Sequence, residues 1–325
     1  MNSAEFEPRQ AISAILQSDM NLKIESLSAC PVCDRTRLRT LMQVPDFETA
    51  TGMYGLDECG DCGLVFTNPR PLESELPALY ADRTTTDFPS TPNPLVRRLR
   101  EFAIDSYLSR ALGATLKPQQ TRFEVLDYGC GDGAVTLGVQ RHARAHDWSA
   151  HVTALDFHSE VPIALSGADP NKITYISHDK WQAPNAGYDA VFLRHVLEHH
   201  PDPRRLLGEL RRMLRPGGRL FVEVPNRRSV WASVFGRFYS GYYIPRHLMH
   251  FDRASLSFAV KAGGLRCLSL ILGHSPLLGR SIAYRTGWDV GNVGLLGLAS
   301  YPLQVAVDMI ARTSSTLRLI ATPDD

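Results

Sequence analysis

Between Phe123 and Val224 short apolar runs alternate with stretches of helical period. FEVLDYG, HVTALDF, KITYIS, YDAVFLRH and GGRLFVEVP are strand-like and largely apolar on both faces. The stretches from Ala134 to His146, near Pro162 and from Pro203 to Leu214 carry the 3.6-residue repeat. Strand and helix in alternation force parallel pairing through right-handed crossovers. The predicted fold is therefore α/β, a doubly wound Rossmann-like sheet covered on both faces. In the Pro203 helix, Asp202 is placed to cap, Pro203 suits the first turn, Leu206, Leu207, Leu210 and Leu214 form the stripe, and Gly217 marks the end. Its other face carries five arginines from Arg204 to Arg215, with Glu209 in pairing reach of Arg205 and Arg212. That is the pattern of a solvated face.

Upstream, apolar residues from Leu95 to Leu112 recur at helical spacing behind a start signal at Asn93 and Pro94. The segment before it is rich in proline and threonine and leaves room for one short helix, Glu73 to Tyr80. Downstream, Val293 to Arg312 reads as an apolar helix interrupted by polar residues and Pro302, too short and mixed to span a bilayer. A weak contact with a membrane surface stays open. These breaks divide the chain into a tail (1–27), a cysteine-bearing segment (28–70), a helical linker (71–120) and the α/β domain (121–325).

Two of the six cysteines stand alone, Cys130 and Cys267. The other four form CPVC and CGDC, that is Cys30, Cys33, Cys59 and Cys62. The first twenty residues lack the apolar core of an export signal, which points to the cytoplasm and a reducing compartment. There, paired CxxC knuckles read as a closed tetrahedral Zn²⁺ site of structural role, a small zinc ribbon. Lysine and arginine total 35 against 34 acids, for a net charge of +1. With no global positive field, nucleic acid is disfavoured as a partner.

The first strand of the α/β region runs into LDYGCGDGA. Gly129, Gly131 and Ala134 fit a GxGxxA cofactor loop, and Asp156 at the end of the second strand fits the acid that binds a ribose. A nicotinamide dinucleotide would set its pyrophosphate against Asp127 and Asp132, whereas a sulfonium and an ammonium would be favoured there. LDYGCGDGA, ALDFH, YDAVFLRHVLEHHPDP and RRMLRPGGRLFVEVPN, in that order, resemble the class I S-adenosylmethionine-dependent methyltransferases. The cysteine knuckles and PRHLMHF are similar to a bacterial branch with a zinc-ribbon prefix that serves small-molecule and carbohydrate pathways. The resemblance implies that Asp127, Gly129, Gly131 and Gly133 hold the methionine half of S-adenosylmethionine, Asp156 the ribose and Asp179 the adenine amino group. It also implies a small-molecule acceptor.

If the acceptor is a hydroxyl, a base is needed near the methyl group. His195 ends the fourth strand where the crevice opens, and His247 and His250 follow the fifth. Glu198 and His199 form the family's LEH element, in a position that suits capping as well. The rival readings are an RNA or protein methyltransferase and a non-catalytic module acting through its zinc ribbon.

Overall fold

Seven strands order the molecule in the computed structural model, which describes residues 22–80, 94–113, 122–288 and 293–324. The N-terminal part contributes strands β1 (Ile24–Glu25), β2 (Leu38–Pro45), β3 (Met53–Cys59), β4 (Val65–Thr67) and β5 (Arg70–Pro71), then helix α1 (Pro94–Gly113). The main sheet contains β6 (Arg122–Tyr128), β7 (Ser149–Asp156), β8 (Ile173–Ser177), β9 (Tyr188–Arg194), β10 (Leu214–Pro225), β12 (Leu265–Gly273) and β13 (Thr316–Pro323). It is interleaved with α2 (Ala134–Ala145), α3 (Pro203–Met213), α4 (Val230–Phe235), the short strand β11 (Met249–His250), α5 (Arg253–Ala262), α6 (Leu278–Thr286) and α7 (Val293–Ile310).

The strand order is β12-β13-β10-β9-β6-β7-β8, parallel from β10 to β8, with β13 antiparallel to both its neighbours. The order reverses between β6 and β9, and crevices open beyond the carboxyl ends of strands at such a switch point. Period-two alternation explains the two covers. Ala190 and Phe192 of β9 pack with Ile104 and Leu108 of α1 and Val135 and Val139 of α2. Val191 and Leu193 face the other way, against Leu206, Leu207 and Leu210 of α3 and Leu256 and Val260 of α5. Each fully buried leucine here contributes about 1.5–3 kcal/mol.

The α3 cap forms as its sequence suggests, with Asp202 Oδ1 accepting from Arg205 N–H at 2.9 Å. Arg205 pairs with Glu209, also at 2.9 Å. Two local expectations need correction. The helix stops at Met213, where the chain turns directly into β10, so Gly217 (φ +80°) lies within the irregular start of that strand. The segment near Pro162 is a single 3-10 turn, Ile163–Leu165, whereas the short helix expected over Glu73–Tyr80 forms, as a 3-10 helix. Asn93 and residues 1–21 lie outside the described residues.

The cysteine-bearing segment does not keep a sheet to itself. Its strands form the order β11-β4-β3-β2, in which Met249 and His250 pair with Phe66 and Val65. Thr67 Oγ1 also donates to the His247 carbonyl, and Arg70 donates to the Pro201 carbonyl, both at 2.8 Å. The boundary at residue 70 thus separates segments in sequence only. In space the knuckles sit on the loops that follow β9 and β10. The apolar α7 is anchored by buried polar groups: Asp308, which is 0% exposed, accepts from Trp231 Nε1 at 2.9 Å and lies 2.9 Å from His274 Nδ1. Leu303, Met309 and Ile310 remain exposed on its outer face. Among the described residues, no helix is long and apolar enough to cross a membrane.

Candidate active site

The loop between β6 and α2 is built from residues that only glycine can supply. Gly129 (φ +74°) and Gly133 (φ +80°) lie in the left-handed region, and added Cβ atoms would meet Val196 Cγ2 at 2.4 Å and Leu165 Cδ2 at 2.7 Å. Gly131 adopts φ +54°, and its N–H donates to Asp156 Oδ2 at 2.8 Å. The acid at the end of β7 therefore ties down the loop as well as edging the crevice. Asp127 lies beneath the loop, 2% exposed, accepting from Thr136 Oγ1 at 2.6 Å. Burial pushes its carboxyl up to about 6, and the charge of Asp156 adds to this against the Thr136 hydrogen bonds.

Asp132 is different. Arg100 of α1 pairs with it at 2.5 Å, so the charge argument against a pyrophosphate rests on Asp127 and Asp156. Asp179 sits exposed in the 3-10 turn His178–Lys180, its carboxyl held below the usual range by a hydrogen bond with Ser177. Sequence reasoning overlooked Phe157, directly after Asp156. It is 64% exposed and stacked on His178 at 4.7 Å, an apolar platform between Asp156 and Asp179. An aromatic residue next to Asp156, the acid expected to bind a ribose, was the available signal.

The donor set fits S-adenosylmethionine: a buried carboxylate short of countercharge for the cationic half, a second carboxylate for diol hydroxyls, and a ring face for the base. The four knuckle thiols fit zinc. Their sulfurs lie within 4.8 Å of one another, with Cys30–Cys62 and Cys33–Cys59 at 3.5 Å, spacing that suits the edges of a thiolate tetrahedron.

The histidines divide by environment. His195 follows β9 with φ +53°, a conformation rare outside glycine, held by its N–H donating to the Glu223 carbonyl at 2.8 Å. Its side chain is 33% exposed, and Nδ1 lies 3.2 Å from Glu198 Oε1. Glu198 is 0% exposed and caps nothing, since the 3-10 turn Leu197–His199 has no side-chain cap; the capping alternative is thereby corrected. His247 is buried, with Nδ1 2.9 Å from the Gly241 carbonyl and Nε2 3.9 Å from Glu198 Oε1. His250 is 3% exposed, Nε2 3.1 Å from Thr67 Oγ1, and burial together with His247 and Arg227 pulls it well below the ordinary histidine range. The structure thus brings His195, Glu198, His199 and His247 together, while His250 belongs to the seam with the knuckle sheet. Beneath them, Glu223 bridges Arg194 and Arg318 at 2.9 and 3.1 Å and fixes the end of β9.

A family profile described as "Methyltransferase domain" matches residues 96–270. The chain belongs to the methyltransferase-domain family. Its sheet and cofactor loop are those of a class I methyltransferase fold. Among curated relatives, the ubiquinone biosynthesis O-methyltransferase of Xylella fastidiosa (strain 9a5c) is 35% identical over 109 residues, 32% of this chain and 42% of the relative. The protein of the same name from Xanthomonas axonopodis pv. citri is 30% identical over 148 residues, 43% and 59% of the two chains. The chain thus spans about half the length of the curated relatives it matches. Among solved structures, the 1,6-didemethyltoxoflavin-N1-methyltransferase of Burkholderia thailandensis aligns at 15% identity and a TM-score of 0.48, over 82% of this chain and 99% of that one.

Proposed function

We propose that the chain transfers a methyl group from S-adenosylmethionine to a hydroxyl of a small-molecule acceptor, with a structural zinc in the knuckles. The observation that carries the reading is His195: reachable, set at the carboxyl end of β9 beside the switch point, and backed by the buried Glu198 carboxylate. The O-methyltransferase relatives support an oxygen acceptor, and the near-neutral charge supports a small one.

In this reading Asp127 faces the cofactor's cationic half, Gly129, Gly131 and Gly133 admit it, Asp156 holds the ribose diol and Asp179 the adenine amino group. When bound, the cofactor supplies a methyl group on a positive sulfur. The residues do the rest by position. Glu198 accepts from His195 Nδ1–H, which leaves Nε2 with the lone pair to take the acceptor's hydroxyl proton as its oxygen meets the methyl carbon. Holding the two reactants in line supplies much of the rate on its own. His247 sits behind Glu198, its Nε2 3.9 Å from Oε1. His250 is assigned a structural role, because its ring is sealed between Thr67 and Tyr242.

The test is methyl transfer from labelled cofactor to a metabolite extract, to RNA and to protein. Label in small molecules is expected, and His195→Ala should lower turnover at least about a hundredfold with unchanged cofactor affinity. Label only in RNA or protein, or loss of cofactor binding in His195→Ala, would overturn the assignment.

A further inference from the structure

Arg246 is 7% exposed, yet it forms no ion pair with any described residue. Its Nε donates to the Leu79 carbonyl at 2.9 Å, and its buried Nη1 has no hydrogen-bond partner. What surrounds the guanidinium is aromatic: Cζ lies 5.1 Å from the centroid of the Tyr243 ring and 5.9 Å from that of Tyr80. Ring faces attract a cation, but they carry no net charge and give the fork of N–H groups no in-plane acceptor. A second guanidinium, from Arg280, stands 5.3 Å from the same Tyr243 ring; Glu48 lies 3.7 Å from it and also accepts from the Tyr284 hydroxyl. Arginine does not shed its proton in proteins, so burial leaves Arg246 a fixed positive charge with no anion paired to it among the described residues. A planar fork in that state suits a carboxylate or a phosphate, which it takes through two parallel hydrogen bonds.

We infer that Arg246 binds an oxyanion, a carboxylate or a phosphate, carried by the methyl acceptor. The inference rests on the acceptor reading above and narrows it to an acidic small molecule. Contacts lead from the fork to the proposed base. Tyr80, whose ring faces the guanidinium, has Oη 2.8 Å from His199 Nδ1, and the Arg246 carbonyl lies 3.0 Å from the same nitrogen. His199 ends the 3-10 turn Leu197–His199, which begins two residues after His195. The Leu248 N–H donates to the Glu198 carbonyl at 2.7 Å, fastening the 246–248 loop to that turn, and Glu198 Oε1 lies 3.2 Å from His195 Nδ1. Fork and base thus stand on two segments tied to each other next to the end of β9, whereas Asp156 and Asp179 follow β7 and β8, on the far side of β6. Gripping the acceptor by a charged group away from its hydroxyl uses binding energy to orient the oxygen toward the methyl carbon. An acceptor without the anion leaves the fork unpaired and is selected against.

Melting of the full-length chain in chloride, in acetate and in inorganic phosphate, at equal ionic strength, tests the fork directly. Phosphate or acetate is expected to raise the melting temperature of the wild type above its value in chloride, because an anion that binds only the folded chain stabilises it. Arg246→Gln should abolish the rise, and Arg246→Lys, which keeps the charge without the fork, should keep a smaller one. A response to phosphate alone marks a phosphorylated acceptor, and a response that includes acetate marks a carboxylic acid. In the labelling assay the methylated product should be retained on an anion exchanger, and Arg246→Gln should lower its formation about tenfold to a hundredfold at low acceptor concentration. S-adenosylmethionine affinity, measured on the same samples, should be unchanged in both variants, which shows that they are folded. No anion response in the wild type, an equal response in Arg246→Gln, a labelled small molecule that the exchanger does not retain, or loss of cofactor affinity in both variants would each overturn the inference and leave the methyltransferase reading in place. Absence of label from every small molecule overturns the acceptor reading, and this inference with it.

Discussion

Replacing Asp127 by asparagine should make the cofactor-free protein more stable and the cofactor weaker bound. Asp127 is 2% exposed and pushed up to about 6 from an ordinary 3.8, so at neutral pH the fold carries a charged carboxylate that it holds poorly. The sign follows from linkage. A carboxyl whose folded pKa is raised is most favourable to folding when protonated, below about 3.8, and that contribution is lost as pH rises through about 6. That difference amounts to about 3 kcal/mol at pH 7.5. Asparagine resembles the protonated acid in shape and keeps a carbonyl oxygen for the Thr136 hydroxyl. Asp127→Asn should therefore stabilise the apo chain by up to about 3 kcal/mol at pH 7.5 and by almost nothing at pH 4. In the proposed reading the cationic half of the cofactor loses its countercharge in the same variant, and affinity should drop about tenfold to a hundredfold, or 1.5–3 kcal/mol. Urea unfolding at the two pH values and calorimetric titration with S-adenosylmethionine measure both effects. A variant that is less stable at pH 7.5, or one that binds the cofactor as the wild type does, would refute the reasoning.

Asp156→Ala should weaken the cofactor by about 1.5–3 kcal/mol and also cost stability, because the Gly131 N–H loses its acceptor; isothermal titration and thermal melting report the two losses. Glu223 moves in the opposite sense to Asp127: burial works against its charge, but Arg194, His195 and Arg318 outweigh this and hold it down to about 2 from 4.5. Its contribution, about 3 kcal/mol, should be present above pH 4.5 and disappear as pH falls toward 2, and Glu223→Gln should flatten that part of a stability-versus-pH curve. Stripping the knuckle metal with a strong chelator should release one zinc, lower the melting temperature and expose the 246–250 segment to hydrogen exchange, since β11 is an edge of the knuckle sheet. Unaltered melting after complete metal removal would contradict the structural role.

The parts of the fold that depend on neighbours in sequence were legible. Strand–helix alternation announced the sheet, Asp202 and Pro203 the start of α3, and the glycines the sharp loop after β6. The parts that depend on distant contacts were not. Nothing in CPVC or CGDC says that their sheet will be completed by Met249 and His250, because a two-residue strand has no readable period. Asp132 looked like a free charge beside the loop because its partner, Arg100, comes from a helix 32 residues earlier. Glu198 at a turn start has the local signature of a cap, and only the burial imposed by the 246–248 loop turns it into the partner of His195.

That last contact explains why the knuckles and the chemistry belong to one chain. The loop carrying Arg246, His247 and Leu248 is held on one side by the Glu198 carbonyl and on the other by β4, through Thr67 and the Met249–Phe66 pair. A short loop with left-handed Tyr243 (φ +41°) has little strength of its own. Pairing it with a sheet pinned by four cysteines supplies the rigidity that a positioned histidine–carboxylate pair requires. The knuckle sheet is then best regarded as the support of the loop behind the His195–Glu198 pair. Disturbing the knuckles should loosen the placement of Glu198 and His247 before it touches the glycine loop, which hangs from β6 and β7 on the opposite side of β9.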